Sequence, residues 1–178
     1  MGSTGVPILS DNQKNNLRQI WKLVREGDMQ ATGVNMYMYL FTKNPELMPI
    51  FSFPENQTVE ELRGSPQLLH HAMNLMKNIG VAVDSLDDEQ LLKSAFSQLG
   101  KSHMKSKEGP ECYGPVGAAL KHTLCNSLEE KFVPEWQQSL DAFFKVLEYY
   151  TSEGIIKLGP LAEPENPGNT QSQKRKKY

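Results

Sequence analysis

Two histidines carry the most specific chemistry in the chain. His71 and His103 stand thirty-two residues apart, and each continues an apolar stripe: Leu68, His71, Ala72, Leu75, Ile79 and Ala82 on one segment, Leu92, Ala95, Phe96, Leu99 and His103 on another. A neutral imidazole nitrogen is a strong ligand for iron, so two inward imidazoles on facing helices can hold a flat, metal-bearing cofactor between them. His70, the neighbour of His71, is turned away by about 100° and points elsewhere. Taken singly, either histidine reads as a hydrogen-bonded core residue. Taken together, with the aromatic corner Pro49-Ile50-Phe51-Ser52-Phe53-Pro54 nearby, they read as a clamp. Flat haem suits it better than zinc, because a structural zinc site wants four close nitrogen or sulfur ligands and neither a cysteine pair nor a His-Glu-x-x-His helix is present.

Helices must position this pair. Ser10-Asp11-Asn12-Gln13 has the capping-box form and starts a helix whose apolar stripe is Leu17, Ile20, Trp21 and Val24. Gly27-Asp28 ends it. A second helix begins near Met29 with Gly33, Tyr37, Leu40 and Phe41 on one side, and Gly33 lets another helix backbone approach closely. Pro45-Glu46-Leu47-Met48 reads as a short turn-like helix, since proline is tolerated where no amide partner is needed. Glu55 to Gly64 reads as a polar loop with one helical turn at most.

Ser65-Pro66 then starts the helix of His71, serine as cap and proline at the first helical position. Asp84 to Asp88 joins it to the helix of His103, and Lys105 to Pro110 is a turn. Tyr113 to Leu128 follows, with Val116, Leu120, Leu124 and Leu128 four apart. A last long helix opens at Pro134, buries Trp136, Leu140, Phe143, Phe144, Leu147 and Tyr150, and closes at Gly154. No stretch alternates convincingly as a strand, so the fold class is all-α. His122 is expected to be an exposed residue with no partner.

The domain division expected is a flexible leader (1–9), one folded domain (10–154) and a disordered tail (155–178) too poor in apolar residues to fold. Charged residues make up 22% and the formal charge is -2, so bulk electrostatics select neither nucleic acid nor a membrane. No apolar run approaches the roughly 20 residues of a transmembrane segment, and the amino terminus lacks the order of a signal peptide. A cytoplasmic location is expected. Gly2 follows Met1 as in an acylation signal, but Val6 stands where that signal has Ser or Thr. Lys174 to Lys177 reads as a solvated charge run ahead of a nuclear-localisation-like or anion-binding patch. Cys112 and Cys125 lie about 20 Å apart if they share a helix, beyond disulfide reach. Both are read as small buried hydrophobes.

Several motifs keep a fixed mutual spacing: Asn44-Pro45-Glu46-Leu47 with Pro49-Ile50-Phe51, Ser65-Pro66-Gln67-Leu68-Leu69-His70-His71, Leu99-Gly100-Lys101-Ser102-His103, Val116-Gly117 and Phe132-Val133-Pro134-Glu135. In these the chain resembles the globin family from Ser10 to Gly154, and within it neuroglobin, cytoglobin and globin X. The resemblance implies the globin fold, a three-over-three helical sandwich around haem b. It places Phe51 on the haem, His103 as the iron ligand with Leu99 beside the cofactor, and His71 at the distal position with Leu75 walling the ligand pocket. It also implies acylation of Gly2 as in globin X, a feature that the departure at Val6 does not support. Tyr37, fourteen residues before Phe51, falls where globins place a distal-pocket residue. Its hydroxyl either donates to bound dioxygen or bonds a carbonyl as an ordinary core tyrosine, and both readings stand.

The function so implied is reversible binding of O2, CO and NO, for oxygen binding, storage, transport or sensing, with hexacoordinate, bis-histidyl iron from which the gas displaces His71. The alternative is a haem redox enzyme, a nitric oxide dioxygenase or nitrite reductase. With no flavin or nicotinamide module after the globin segment, that activity would depend on a separate cellular reductase. A helical scaffold that has lost haem is disfavoured by the joint presence of Phe51, His71 and His103.

Overall fold

The structure, a computed structural model, describes residues 7–51, 53, 57–105 and 112–158, and for residues 98, 100–105 and 153–158 the backbone alone. Its α-helices are α1 (Asp11–Glu26), α2 (Met29–Lys43), the four-residue α3 (Val59–Leu62), α4 (Pro66–Asp84), α5 (Glu89–Lys105), α6 (Tyr113–Leu128) and α7 (Pro134–Leu158). A 3-10 helix spans Pro45–Ile50. Among the described residues there is no strand, and no helix is long and apolar enough to cross a membrane.

Local chemistry sets these boundaries. Ser10 and Gln13 satisfy each other's amides across the first turn of α1, and Thr58 and Glu61 do the same for α3. Asp28 caps α2 by accepting from the Ala31 amide at 2.8 Å. Ser65 Oγ accepts from the Leu68 amide at 3.2 Å, with Pro66 at the first helical position of α4. Asp88 Oδ1 accepts from the Leu91 amide at 3.0 Å at the head of α5.

The helices stack in two layers. Within one, α4 contacts α1 and α5; within the other, α6 contacts α2 and α7; between them α2 crosses α4, and α7 meets α1 and α5. This is the expected three-over-three sandwich. Lying between α4 and α6, α2 is buried on almost every side, at Gly33, Val34, Met36, Tyr37, Met38, Leu40 and Phe41. Gly33 makes the crossing close: a Cβ there would stand 2.9 Å from Met76 Cγ and 3.0 Å from the Ala72 carbonyl oxygen. Gly117 does the same for α6 against the Phe144 ring of α7.

Three expectations need correction. Gly154 does not close the last helix, which continues through it to Leu158; one glycine in a helix costs only about 1 kcal/mol relative to alanine, too little to end a helix by itself. The buried stripe of α4 is Leu68, Ala72, Met76, Ile79, Gly80, Ala82 and Val83, so His71 and Leu75 flank it, half-buried. His122 is exposed as expected but has partners: its ring stacks on Tyr39 at 3.8 Å and 17°, and its Nε2 lies 2.9 Å from Asn126 Nδ2. Gly2, most of the tail and the basic run at Lys174 to Lys177 lie outside the described residues. Cys112 is buried immediately before α6 and Cys125 is half-buried within it.

Candidate functional site

The site begins where α2 ends. Asn44 caps α2, its amide donating to Leu40 O at 2.8 Å, and Pro45 opens the 3-10 helix that delivers Phe51 to the interior. The Phe51 amide donates to Met48 O at 3.3 Å, and the Phe53 amide to Phe51 O at 2.7 Å. These bonds keep the two phenylalanines side by side, their rings stacked at 5.8 Å and 11°.

Onto this corner α2 contributes Tyr37 and Phe41, one turn apart and therefore on one face. Tyr37 is 2% exposed and Phe51 5%. Their rings meet edge to face at 5.7 Å, and Phe41 meets Phe51 the same way at 5.1 Å. From α4 the His71 imidazole joins them, 5.4 Å from the Phe51 ring at 87° and 5.1 Å from the Tyr37 ring at 57°. These separations lie in the range where aromatic pairs are attractive, roughly 0.5–1.5 kcal/mol each beyond the area they bury. His70 is exposed, with its Nε2 2.8 Å from Asn74 Nδ2 on the outer face of α4. One residue of register thus separates an imidazole set into an aromatic wall from one in solvent.

The structure therefore brings Tyr37, Phe51 and His71 together. Leu75 stands one turn further along α4, half-buried, and Leu99 is half-buried on α5. The backbone of α5 runs through His103 to Lys105, while the His103 side chain lies outside the described residues. Phe41 and Phe53 belong to the same wall: Phe53 lies in the expected aromatic corner and Phe41 on the expected side of α2 with Tyr37, though neither was expected among the site residues. The signal was present: Phe41 follows Tyr37 by four in a helix, and Phe53 follows Phe51 by two in a non-helical segment.

The donor chemistry fits haem. The His71 imidazole, half-buried and in ring contact with Tyr37 and Phe51, is of a donor type that suits a flat macrocycle bearing iron.

The helices stack in two layers, and the His71 imidazole stands against Tyr37 and Phe51 where α4 crosses α2. The Globin family model matches residues 34–150, and the chain belongs to the globin family. It is 28% identical over 152 residues to neuroglobin of Dissostichus mawsoni, covering 85% of this chain and 95% of that one. It is 27% identical over 161 residues to cytoglobin-2 of Danio rerio, covering 86% and 89%, and 30% identical over 115 residues to the globin-2 A chain of Anadara inaequivalvis, covering 65% and 75%. Membership implies a haem cofactor and a site for a diatomic gas such as dioxygen.

Proposed function

We propose that this chain is a cytoplasmic haem b protein that reversibly binds dioxygen and other diatomic gases, including CO and NO, with His103 as the permanent iron ligand and His71 as the adjustable one. The observation that carries this reading is the His71 ring held between Tyr37 and Phe51 on the inner flank of α4. Haem, when bound, supplies the iron at which a gas coordinates. His103 on α5 would hold it through an imidazole nitrogen. Phe51 would press on the macrocycle, and Leu75 and Leu99 would exclude water from its two faces. His71 would either donate a hydrogen bond to the gas or serve as a second, replaceable nitrogen ligand for the iron. Tyr37 stands on the same wall, where its hydroxyl would either donate to the partial negative charge on dioxygen or bond a carbonyl as a core tyrosine.

The test is an absorption spectrum of the ferrous protein with and without carbon monoxide. A haem band that shifts on adding the gas is expected in the wild type, and loss of the haem band is expected in His103→Ala. An intact spectrum in that variant sinks the assignment of the permanent ligand.

A further inference from the structure

Between the aromatic corner and α4 the chain keeps one hydroxyl in a wholly acidic stretch. Residues 44–62 contain Glu46, Glu55, Glu60 and Glu61 and neither lysine nor arginine. Within them Gln57-Thr58-Val59-Glu60-Glu61 puts two carboxylates directly downstream of Thr58. A protein kinase with a cationic peptide groove selects a hydroxyl followed by carboxylates at this interval, because each carboxylate supplies a charge-assisted contact.

Ser52, Ser85 and Ser127 also stand three residues before a carboxylate. The structure separates them from Thr58. Ser52 falls between Phe51 and Phe53, whose rings are committed to the wall. Ser85 is half-buried, its hydroxyl donates to Val81 O at 2.8 Å, and the Leu86 that follows it is buried. Ser127 is held in helical form by α6. Thr58 is exposed and its backbone is extended, with φ -74° and ψ 159°, the form in which a peptide groove takes its substrate. The four-residue α3 that follows has little stability of its own, so the segment opens at low cost.

The same hydroxyl fastens α3. Thr58 Oγ1 accepts from the Glu61 amide at 3.3 Å and donates to Glu61 Oε2 at 2.8 Å, while that oxygen accepts from the Thr58 amide at 2.7 Å. Leu62 of α3 is fully buried, and its carbonyl accepts from the Ser65 amide at 2.9 Å at the head of α4. A phosphate of about -1.5 to -2 charge on Thr58 replaces the donor by acceptors and repels the Glu61 carboxylate.

We infer that Thr58 is a phosphorylation site for an acidophilic protein kinase, and that the phosphate releases α3 from its cap. In the transfer Thr58 Oγ1 bonds to the γ-phosphorus of ATP, the bond to the ADP oxygen breaks, and the hydroxyl proton passes to the base of the kinase. The experiment treats the haem-loaded full chain with ATP and casein kinase 2 as the acidophilic probe, and in parallel with an arginine-directed kinase. Intact mass and peptide mapping read the product. One phosphate per chain, at Thr58, is expected from the first enzyme and none there from the second. Thr58→Ser is expected to retain the transfer and Thr58→Ala to lose it. Glu61→Gln keeps a capping side chain but removes a carboxylate, and is expected to slow the transfer about tenfold. Amide exchange at Leu62 is expected to become about fivefold faster on phosphorylation, the size of one lost cap. Phosphate at Ser52, Ser85 or Ser127 in place of Thr58, transfer to Thr58 by the arginine-directed enzyme, or no transfer at all would overturn the inference. So would an unchanged rate in Glu61→Gln or unchanged exchange at Leu62.

Discussion

The two halves of α4 are built differently. Its first half lies against α2 at Gly33 and carries His71 on its flank, held by ring contacts with Tyr37 and Phe51. Its second half is fixed to α1. A Cβ on Gly80 would stand 2.6 Å from Trp21 Nε1 and 3.2 Å from Arg25 Nη2, while Arg25 donates to both carboxylate oxygens of Asp84, at 3.0 and 2.6 Å, and to the Gly80 carbonyl at 3.3 Å. Arg25 ties the Gly80 end to α1 by an ion pair and a carbonyl bond, whereas the His71 end meets α2 through close backbone approach and ring contacts.

Substitutions can break or sharpen this contrast. The largest effect is expected from Phe51→Ala, which removes the ring that both Tyr37 and His71 touch. It should cost about 3–5 kcal/mol, a fall in melting temperature on the order of 10 °C for a domain of this size. A loss under about 1 kcal/mol would show that the wall is not part of the core.

Gly33→Ala and Gly80→Ala come next, each expected to cost about 1–3 kcal/mol by overpacking, measured by urea denaturation. Their functional effects should differ. Gly33→Ala pushes on Ala72 and Met76, next to His71, and should change the rate of carbon monoxide binding, whereas Gly80→Ala should leave that rate close to wild type. Equal changes in the two would abolish the distinction between the halves.

Arg25→Gln removes a partly exposed ion pair and should cost no more than about 1 kcal/mol. Because screening shortens to about 3 Å at 1 M salt, the difference from wild type should shrink as salt is added. A difference that stays constant would mean that the bond to the Gly80 carbonyl, not the ion pair, fixes that end.

The smallest effect concerns α3. Hydrogen bonds from the Thr58 amide and then its hydroxyl hold the Glu61 carboxyl below its ordinary range. A carboxyl lowered on folding adds stability that is present above its unfolded pKa and lost as pH falls through the folded one. Amide exchange at Thr58 should therefore gain its protection as pH rises out of the acid range, beyond the intrinsic pH dependence of exchange. The same profile in Glu61→Gln would contradict that origin.

Much of this arrangement was legible in the chain. The capping box at Ser10, the stripe Leu17, Ile20, Trp21 and Val24, the limits of α6, and the choice of His71 over His70 all follow from short-range rules of capping and periodicity, and the structure agrees with them. What escaped depends on which helix meets which. Met76 and Gly80 look like any other positions of α4 until α2 and α1 are laid across them. The stack of His122 on Tyr39 joins residues 83 positions apart in sequence, and no local pattern announces it. Gly154 failed as a stop because a helix already committed for five turns tolerates one poor residue.

The most direct measurement of the central claim is the absorption spectrum of the ferrous, gas-free protein in the wild type and in His71→Leu. The expected result is a six-coordinate, bis-histidyl spectrum in the wild type that becomes five-coordinate in the variant, with carbon monoxide binding faster once the competing imidazole is gone. Identical spectra in the two proteins would contradict it, leaving His71 as a wall residue that never reaches the iron.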